Sequence, residues 1–359
     1  MNSTEIVHLR LYNQLVRHHP CIKPEEVVHW MGALQAQDYN ASLLAIGLRL
    51  PKSEIVNQQT IEQSIFDRKI VRTWPMRGTL HFVSAADVYW MLNLLTSRVI
   101  RSNTGRYRQL DLNEAEFNKS RKIMEKVLEG GNQMARNQLF GALEAAGIST
   151  SGQRGIHILS HLAQMSVICL GPFLNKQPTF VLLEEWIPHG KILEKDYALA
   201  ELAHRYIKSH GPATVYDFAT WAGLLVSEAR EGISLNRGLF QQVNVDGQVF
   251  WFSEPNSELR LSENSEEIYL LPAFDEMLCG YKDKTAVLSL DNIKSTILRN
   301  GIIRPLILVN NRAVGTWKWG KNKEKVILDT LFSKRLNKEQ NNAIEAKAKK
   351  LESFFISKN

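Results

Sequence analysis

The stretch HWMGALQAQDYNAS, residues 29–42, sets Gln35, Gln37 and Asp38 close together at the end of an apolar run. An amide does not titrate usefully, so glutamine is a poor general acid or base; it offers one carbonyl acceptor and two N–H donors. Two amides beside a carboxylate therefore suit a reaction that needs positioning more than proton transfer, or else they are solvated surface residues. Residues two apart lie ~200° apart around a helix, but point the same way in an extended segment. A shared role for Gln35 and Gln37 thus predicts that the helix of VVHWMGAL ends near Leu34. Asp38 has two readings: it orients a water or supports positive charge, or it is a turn residue bonded to nearby backbone. Asp275, Glu276 and Asp283 in PAFDEMLCGYKDK are either catalytic auxiliaries or turn residues pairing with Lys282 or Lys284.

A second group of residues is cationic. RTWPMRG carries Arg72, Trp74 and Arg77, with His81 following. Arginine at a hairpin tip can contact phosphate or enter a minor groove, whereas alternation puts Trp74 and Leu80 on the core side. SRVIRSNTGRYRQ supplies Arg98, Arg101, Arg106 and Arg108 around Tyr107 with no carboxylate among them; this is either a phosphate-contacting stretch or a solvated, flexible loop. Arg154, with His157 and His161, lies on a helix that either faces DNA or packs. Ile187-Pro188 with His189 forms an exposed turn, read either as an apolar wedge that unstacks a base step or as a simple loop.

The elements that must position these residues are legible in outline. TEIVHLRLYNQLV and KPEEVVHWMGAL have apolar residues at helical spacing, with Pro24 near the second start. TIEQSIFDRK reads as a short third helix opened by Thr60. IVRTWPM and TLHFVS flank the Arg77-Gly78 turn as a hairpin. Three helices followed by a hairpin is the order of a winged helix, whose third helix usually reads a duplex. The order recurs in pattern rather than identity. NKSRKIMEKVLEG, ARNQLFGALEAAG and GQRGIHILSHLAQMS precede VICLGP and TFVLLEEW; YALAELAHRYIKSHG, TVYDFATWAGL and SEAREGI precede a hairpin at Asp246-Gly247. EEIYLLPAF, IRPLILVNNRAVGTWKW and KVILDTLFS read as mostly β, with a turn at Asn310-Asn311, before a basic amphipathic C-terminal helix. The expected class is α+β: winged-helix modules over 1–110, 111–190 and 191–255, then a β-rich, barrel-like scaffold with a C-terminal helix over 256–359.

Length and composition agree with this scale. The chain has 359 residues, 44% hydrophobic and 23% charged, which suits a globular protein of two or three compact units. Forty-four Lys and Arg against 37 Asp and Glu leave a formal charge of +7, compatible with a polyanionic partner. The three cysteines, Cys21, Cys169 and Cys279, are far apart and form no ligand cluster, so neither zinc nor a disulfide framework is expected. No secretory signal and no bilayer-spanning segment is read; the expected setting is a reduced cytoplasm, at the nucleoid.

LQAQD, RTWPMRGTLHFV, GPATVYDFATWAGL, LLPAFDEMLCGYKDK and LILVNNRAVGTWK occur in this order. In these motifs the chain resembles the winged-helix DNA glycosylases of the AlkZ type over nearly its whole length. The resemblance implies three tandem winged helices on a barrel-like scaffold, double-stranded DNA as partner, a monomer, and no metal or other cofactor. It also implies monofunctional removal of alkylated purines, in some members from interstrand crosslinks. The family's catalytic glutamine–apolar–glutamine motif matches Gln35-Ala36-Gln37. A related branch has aspartate at the second polar position, and this chain has Gln37 there, as in the branch that includes crosslink-unhooking enzymes. N7-alkylation makes a purine cationic, so its departure needs little general acid; what remains is to support an oxocarbenium-like sugar and hold a water. A non-enzymatic winged-helix regulator and a protein-binding scaffold are the rival readings.

Overall fold

The computed structural model describes residues 1–51, 57–175, 177–253, 267–320, 325–329 and 336–356. The boundary expected at 255/256 and the end of KVILDTLFS beyond residue 329 lie outside the described residues. Contacts divide the chain into two compact units, one of Met1–Ile61 with Leu199–Asn359 and one of Glu62–Ala198.

The first unit begins with α1 (Ser3–Asn13), α2 (Pro24–Met31), β1 (Ala33–Gln35), α3 (Tyr39–Gly47) and the start of α4 (Gln58–Phe66). Each start and stop has a local cause. Asn2 and Glu5 form a capping box on α1, and Pro24 occupies the first turn of α2. Gly32, at φ 75°, adopts the left-handed region and ends α2 at Met31, three residues before the expected end near Leu34. The chain then runs extended through β1, and Asp38 caps α3. The Asn57 carboxamide oxygen accepts the Thr60 N–H at 3.0 Å, so α4 starts at Gln58 rather than at Thr60.

The second unit contains β2 (Ile70–Met76), β3 (Thr79–Ser84), α5 (Val88–Ser102), α6 (Thr104–Gln109), α7 (Glu114–Leu128), β4 (Met134–Ala135), α8 (Arg136–Ala145), α9 (Arg154–Gln164), β5 (Ile168–Leu174), β6 (Gln177–Leu182) and α10 (Leu183–Trp186). Its strands lie in the order β3-β2-β5-β6-β4, so that two antiparallel hairpins join where Arg72 pairs Leu170. The β2–β3 turn is Arg77 (φ 56°) and Gly78 (φ 70°), both left-handed, which matches strand twist in a tight hairpin. Trp74 and Leu80 enter the core with Phe117, Met124, Leu139, Leu159 and Phe180, as alternation predicts. The arginine stretch 98–108 is helical, on α5 and α6, rather than the flexible loop of its alternative reading.

The first unit resumes within α11 (Lys195–His210) and continues with α12 (Val215–Ala222), α13 (Val226–Leu235), the hairpin β7 (Gln241–Val245) and β8 (Gln248–Phe252), then β9 (Ile268–Leu271), α14 (Glu276–Cys279), α15 (Leu290–Thr296), β10 (Leu306–Val309), β11 (Arg312–Gly320), β12 (Lys325–Asp329) and α16 (Lys338–Phe355). Asp246 (φ 50°) and Gly247 (φ 76°) turn the β7–β8 hairpin. A four-stranded antiparallel sheet runs β12-β11-β10-β9, with Asn310 and Asn311, both at positive φ, turning β10 into β11. Leu271, Leu306 and Leu308 pack with Val7 and Leu11 of α1 and with Met277 and Leu278 of α14 in one apolar cluster. The class is α+β. The region read as mostly β also carries α14 and α15; α14 matters most, because it lies beside Gln35.

Candidate functional site

Gln35, Gln37 and Asp38 occupy the segment that leaves α2 and enters α3. Leu34 and Ala36 are buried at 1% and 0% exposure, Gln35 is half-buried, and Gln37 and Asp38 are exposed. Strand alternation carries β1 as far as Gln35, and a bend at Gln37 and Asp38 leads into α3, with Ala36 packed between the two amide residues. Asp38 is the N-cap of α3, its carboxylate accepting the Ala41 N–H at 3.1 Å.

Beneath Gln35 lies a buried polar layer built on α14. Glu276, 1% exposed, accepts the Gln35 backbone N–H on Oε1 and the Trp221 indole N–H on Oε2, each at 3.1 Å. His210 Nε2 stands 3.5 Å from Glu276 Oε2, and burial pushes the imidazole pKa down despite the carboxylate beside it. Cys279 Sγ donates to Gln35 Oε1 at 2.9 Å. Asp275 caps α14 through Met277 N–H and holds the fully buried Arg49 guanidinium on both oxygens, at 2.9 and 3.1 Å. Arg49 in turn donates to the Gln14 and Ala45 carbonyls. A paired, multiply bonded guanidinium is the form in which a buried charge is tolerated, and breaking such a pair costs about 3–5 kcal/mol. Gly280 closes the layer: a Cβ there would stand 2.6 Å from the Glu276 carbonyl oxygen and 2.7 Å from His210 Cδ2. Asp275 is thus a structural partner. Asp283 bonds the Thr285 N–H at 2.8 Å, while Lys284 Nζ donates to the Tyr281 and Lys282 carbonyls.

The cationic residues belong to the second unit. Arg72 is buried at 7% exposure and lines a cavity of about 470 Å³ with Trp74, Leu80, Arg136 and Phe180. His81 is fully buried; its Nδ1 donates to the Thr79 carbonyl at 2.9 Å and its Nε2 accepts from Arg77 Nη2 at 3.1 Å, the pattern of a neutral ring. Arg72 and His81 therefore stand inside the hairpin, with Arg77 half-exposed at its turn. Arg98 is half-buried, while Arg101, Arg106 and Arg108 are exposed on α5 and α6. Arg106 is engaged by the Gln109 and Gln153 side chains at 3.0 and 2.9 Å. Arg154 is committed within the protein, bonding the Ser149, Leu110 and Asp111 carbonyls and the Glu116 carboxylate. His161 stacks on Phe117 with ring centroids 3.7 Å apart, a packing role. Pro188 and His189 are exposed, with His189 at φ 61°, but Ile187 is buried at 7%, its carbonyl held by the Tyr89 hydroxyl at 3.2 Å. Only the Pro188–His189 tip stands out.

Glu276 was visible in the sequence as one of three acidic candidates; Cys279, Trp221 and His210 were not singled out for this site. Their partners lie far along the chain: 241 residues separate Gln35 from Glu276, and 244 separate it from Cys279. No short-range spacing encodes such a meeting. Among the described residues, no group of three or more His, Cys, Asp or Glu is placed to hold a metal ion, and no helix is long and apolar enough to cross a membrane.

The sequence profile described as DNA glycosylase AlkZ-like matches residues 28–354, and the chain belongs to this winged-helix DNA glycosylase family. It is similar to an interstrand DNA cross-link repair glycosylase of Streptomyces sahachiroi, 27% identical over 315 residues that cover 82% of this chain and 81% of that one. Its fold matches that of the solved structure of the Streptomyces sahachiroi DNA glycosylase AlkZ with a TM-score of 0.81, at 22% identity, covering 100% of this chain and 98% of the other.

Proposed function

We propose that this protein hydrolyses the N-glycosidic bond of cationic N-alkylated purines in duplex DNA, and that interstrand crosslinks made through such purines are also substrates. The observation that carries the proposal is the amide pair itself: Gln35 at the end of β1 and Gln37 two residues on, in the bend before α3, in a chain that belongs to a family of DNA glycosylases. Water attacks C1′ of the damaged nucleotide while the C1′–N9 bond breaks. The bonding pair moves onto the purine, which leaves neutral because alkylation had already made it a cation, and the water's proton passes to solvent. No side chain need donate a proton to the base. General acid–base catalysis contributes about 10²–10⁴-fold where it is used, so a site lacking it favours bases activated in advance. The passes 1–110, 111–190 and 191–255 act as winged helices on the scaffold 256–359, and the exposed Arg101, Arg106 and Arg108 contact phosphate.

The test is a duplex carrying one N7-methylguanine, incubated with excess protein and scored for free base and an abasic site. Wild type releases the base. Gln37→Ala slows single-turnover release by about 10²-fold, the scale on which misplacing a reactant by 1 Å acts, with folding and most DNA affinity intact. An unchanged rate in Gln37→Ala removes the assigned role.

A further inference from the structure

Gln35 is held at two points by one short helix. Glu276 Oε1 accepts its backbone N–H at 3.1 Å, and Cys279 Sγ, three residues further on α14, donates to its side-chain Oε1 at 2.9 Å. Residues i and i+3 of a helical turn share a face, so carboxylate and thiol reach the same neighbour. The anchor is itself fixed: Glu276 also takes the Trp221 indole N–H, Asp275 is locked to Arg49, and Gly280 lets the end of α14 pack against His210 where a Cβ would clash.

The consequence concerns which end of the amide faces outward. A glutamine amide can flip, exchanging acceptor for donors at little cost, unless a neighbour distinguishes the two ends. Cys279 makes that distinction, because a thiol donates its S–H while sulfur is a weak acceptor for N–H. With Oε1 directed to Cys279, Nε2 points away from that thiol on the trigonal amide carbon. Among the described residues no protein atom accepts the Nε2 hydrogens. One of the two carbonyl lone pairs is engaged, and both amide hydrogens are left to a ligand.

We propose that Cys279 is a positioning residue that makes Gln35 a donor arm, offering its NH2 to a sugar or phosphate oxygen of the damaged strand. The inference rests on the glycosylase reading of the amide pair. The two glutamines are then not interchangeable, because Gln35 is committed by Cys279 to fixing the nucleotide as a donor.

Single-turnover release of N7-methylguanine from a duplex is measured together with duplex Kd and Tm. The variants are Cys279→Ala, Cys279→Ser, Gln35→Ala and the Gln35→Ala/Cys279→Ala double variant. Cys279→Ala is expected to slow release about tenfold, the scale of one modest hydrogen bond, with Kd and Tm near wild type. Cys279→Ser keeps a donor and should stay within about threefold of wild type. The double variant should be no slower than Gln35→Ala alone, because groups acting through one contact do not add. If alanine lowers Tm by opening a cavity, Cys279→Val fills that volume without a donor and should show the same tenfold loss. A wild-type rate in Cys279→Ala, equal slowing by serine and alanine, or multiplying effects in the double variant overturns the assignment. Slow release by Gln35→Ala beside normal release by Cys279→Ala removes this inference alone, whereas a wild-type rate in Gln35→Ala removes the role of the amide pair as well.

Discussion

Asp38 shows how much one side chain's partners decide. Its carboxylate accepts the Ala41 N–H and starts α3 directly after the amide pair. Capping needs an acceptor oxygen, not a charge, so asparagine can replace it. Asp38→Ala is expected to cost about 1 kcal/mol in chemical denaturation, and Asp38→Asn only a few tenths. Base release by Asp38→Asn should remain within about threefold of wild type, since the amide retains the capping oxygen. A hundredfold loss in Asp38→Asn at unchanged stability would instead place the charge in the chemistry. The sequence left a turn residue and a catalytic carboxylate equally open here, and the N-cap role could not be read because α3 itself was not. For Gln35 and Gln37 the argument from helix geometry did require an extended segment, and Gly32 supplies the stop that allows it. What held Gln35 from below was not legible, since Glu276 and Cys279 are brought to it only by the tertiary fold.

At the scale of elements, hairpins were the most readable parts. Arg77-Gly78, Asp246-Gly247 and Asn310-Asn311 all sit at turns with positive φ, a conformation those residue types announce locally. α3 was missed because Leu43, Leu44, Ala45 and Ile46 are consecutive apolar residues, all buried, and such a run has no helical period to detect. α14 was missed because its four residues are too few for a pattern. On α9, whose apolar face is well marked, the histidines were read as facing either DNA or core, and packing decides for His161. Its ring lies against Phe117 and Tyr107, and burial holds its pKa at about 4, below the ordinary 6.5. A histidine with a depressed folded-state pKa contributes in full above pH 6.5 and loses that contribution as pH falls toward 4. Between those limits the second unit should lose about 1–2 kcal/mol from this residue, once solvent screening of a partly exposed ring is allowed for. Urea titrations across that range should show a smaller pH dependence in His161→Phe than in wild type. Equal slopes would mean that the ring protonates freely in the folded state.

For the whole molecule, a formal charge of +7 belongs with a phosphate-rich partner. The exposed Arg101 and Arg108 make no hydrogen bond or ion pair through their guanidinium groups among the described residues, in contrast to Arg106 and Arg154. The Arg101→Gln/Arg108→Gln variant should reduce the slope of log Kobs against log salt by about 2, with Tm unchanged. An unaltered slope would place the phosphate contacts elsewhere. Composition alone gave the sign of this partner but not its footprint. Arg72 and His81 lie on opposite faces of the hairpin, paired with Phe82 and Thr73 respectively, and both are buried because the strands are covered on both faces, a tertiary feature with no signature in RTWPMRG.

The central claim is that uncharged amides suffice because the base is already a cation when it leaves. Its most direct test compares single-turnover release of N7-methylguanine with release of a neutral purine lesion, hypoxanthine, at the same position in the same duplex. The expected result is rapid release of the methylated base and at least about 10²-fold slower release of the neutral one, the lower scale of missing general acid catalysis. Comparable rates for the two bases would contradict it, because they would require a proton donor that the amide pair does not contain.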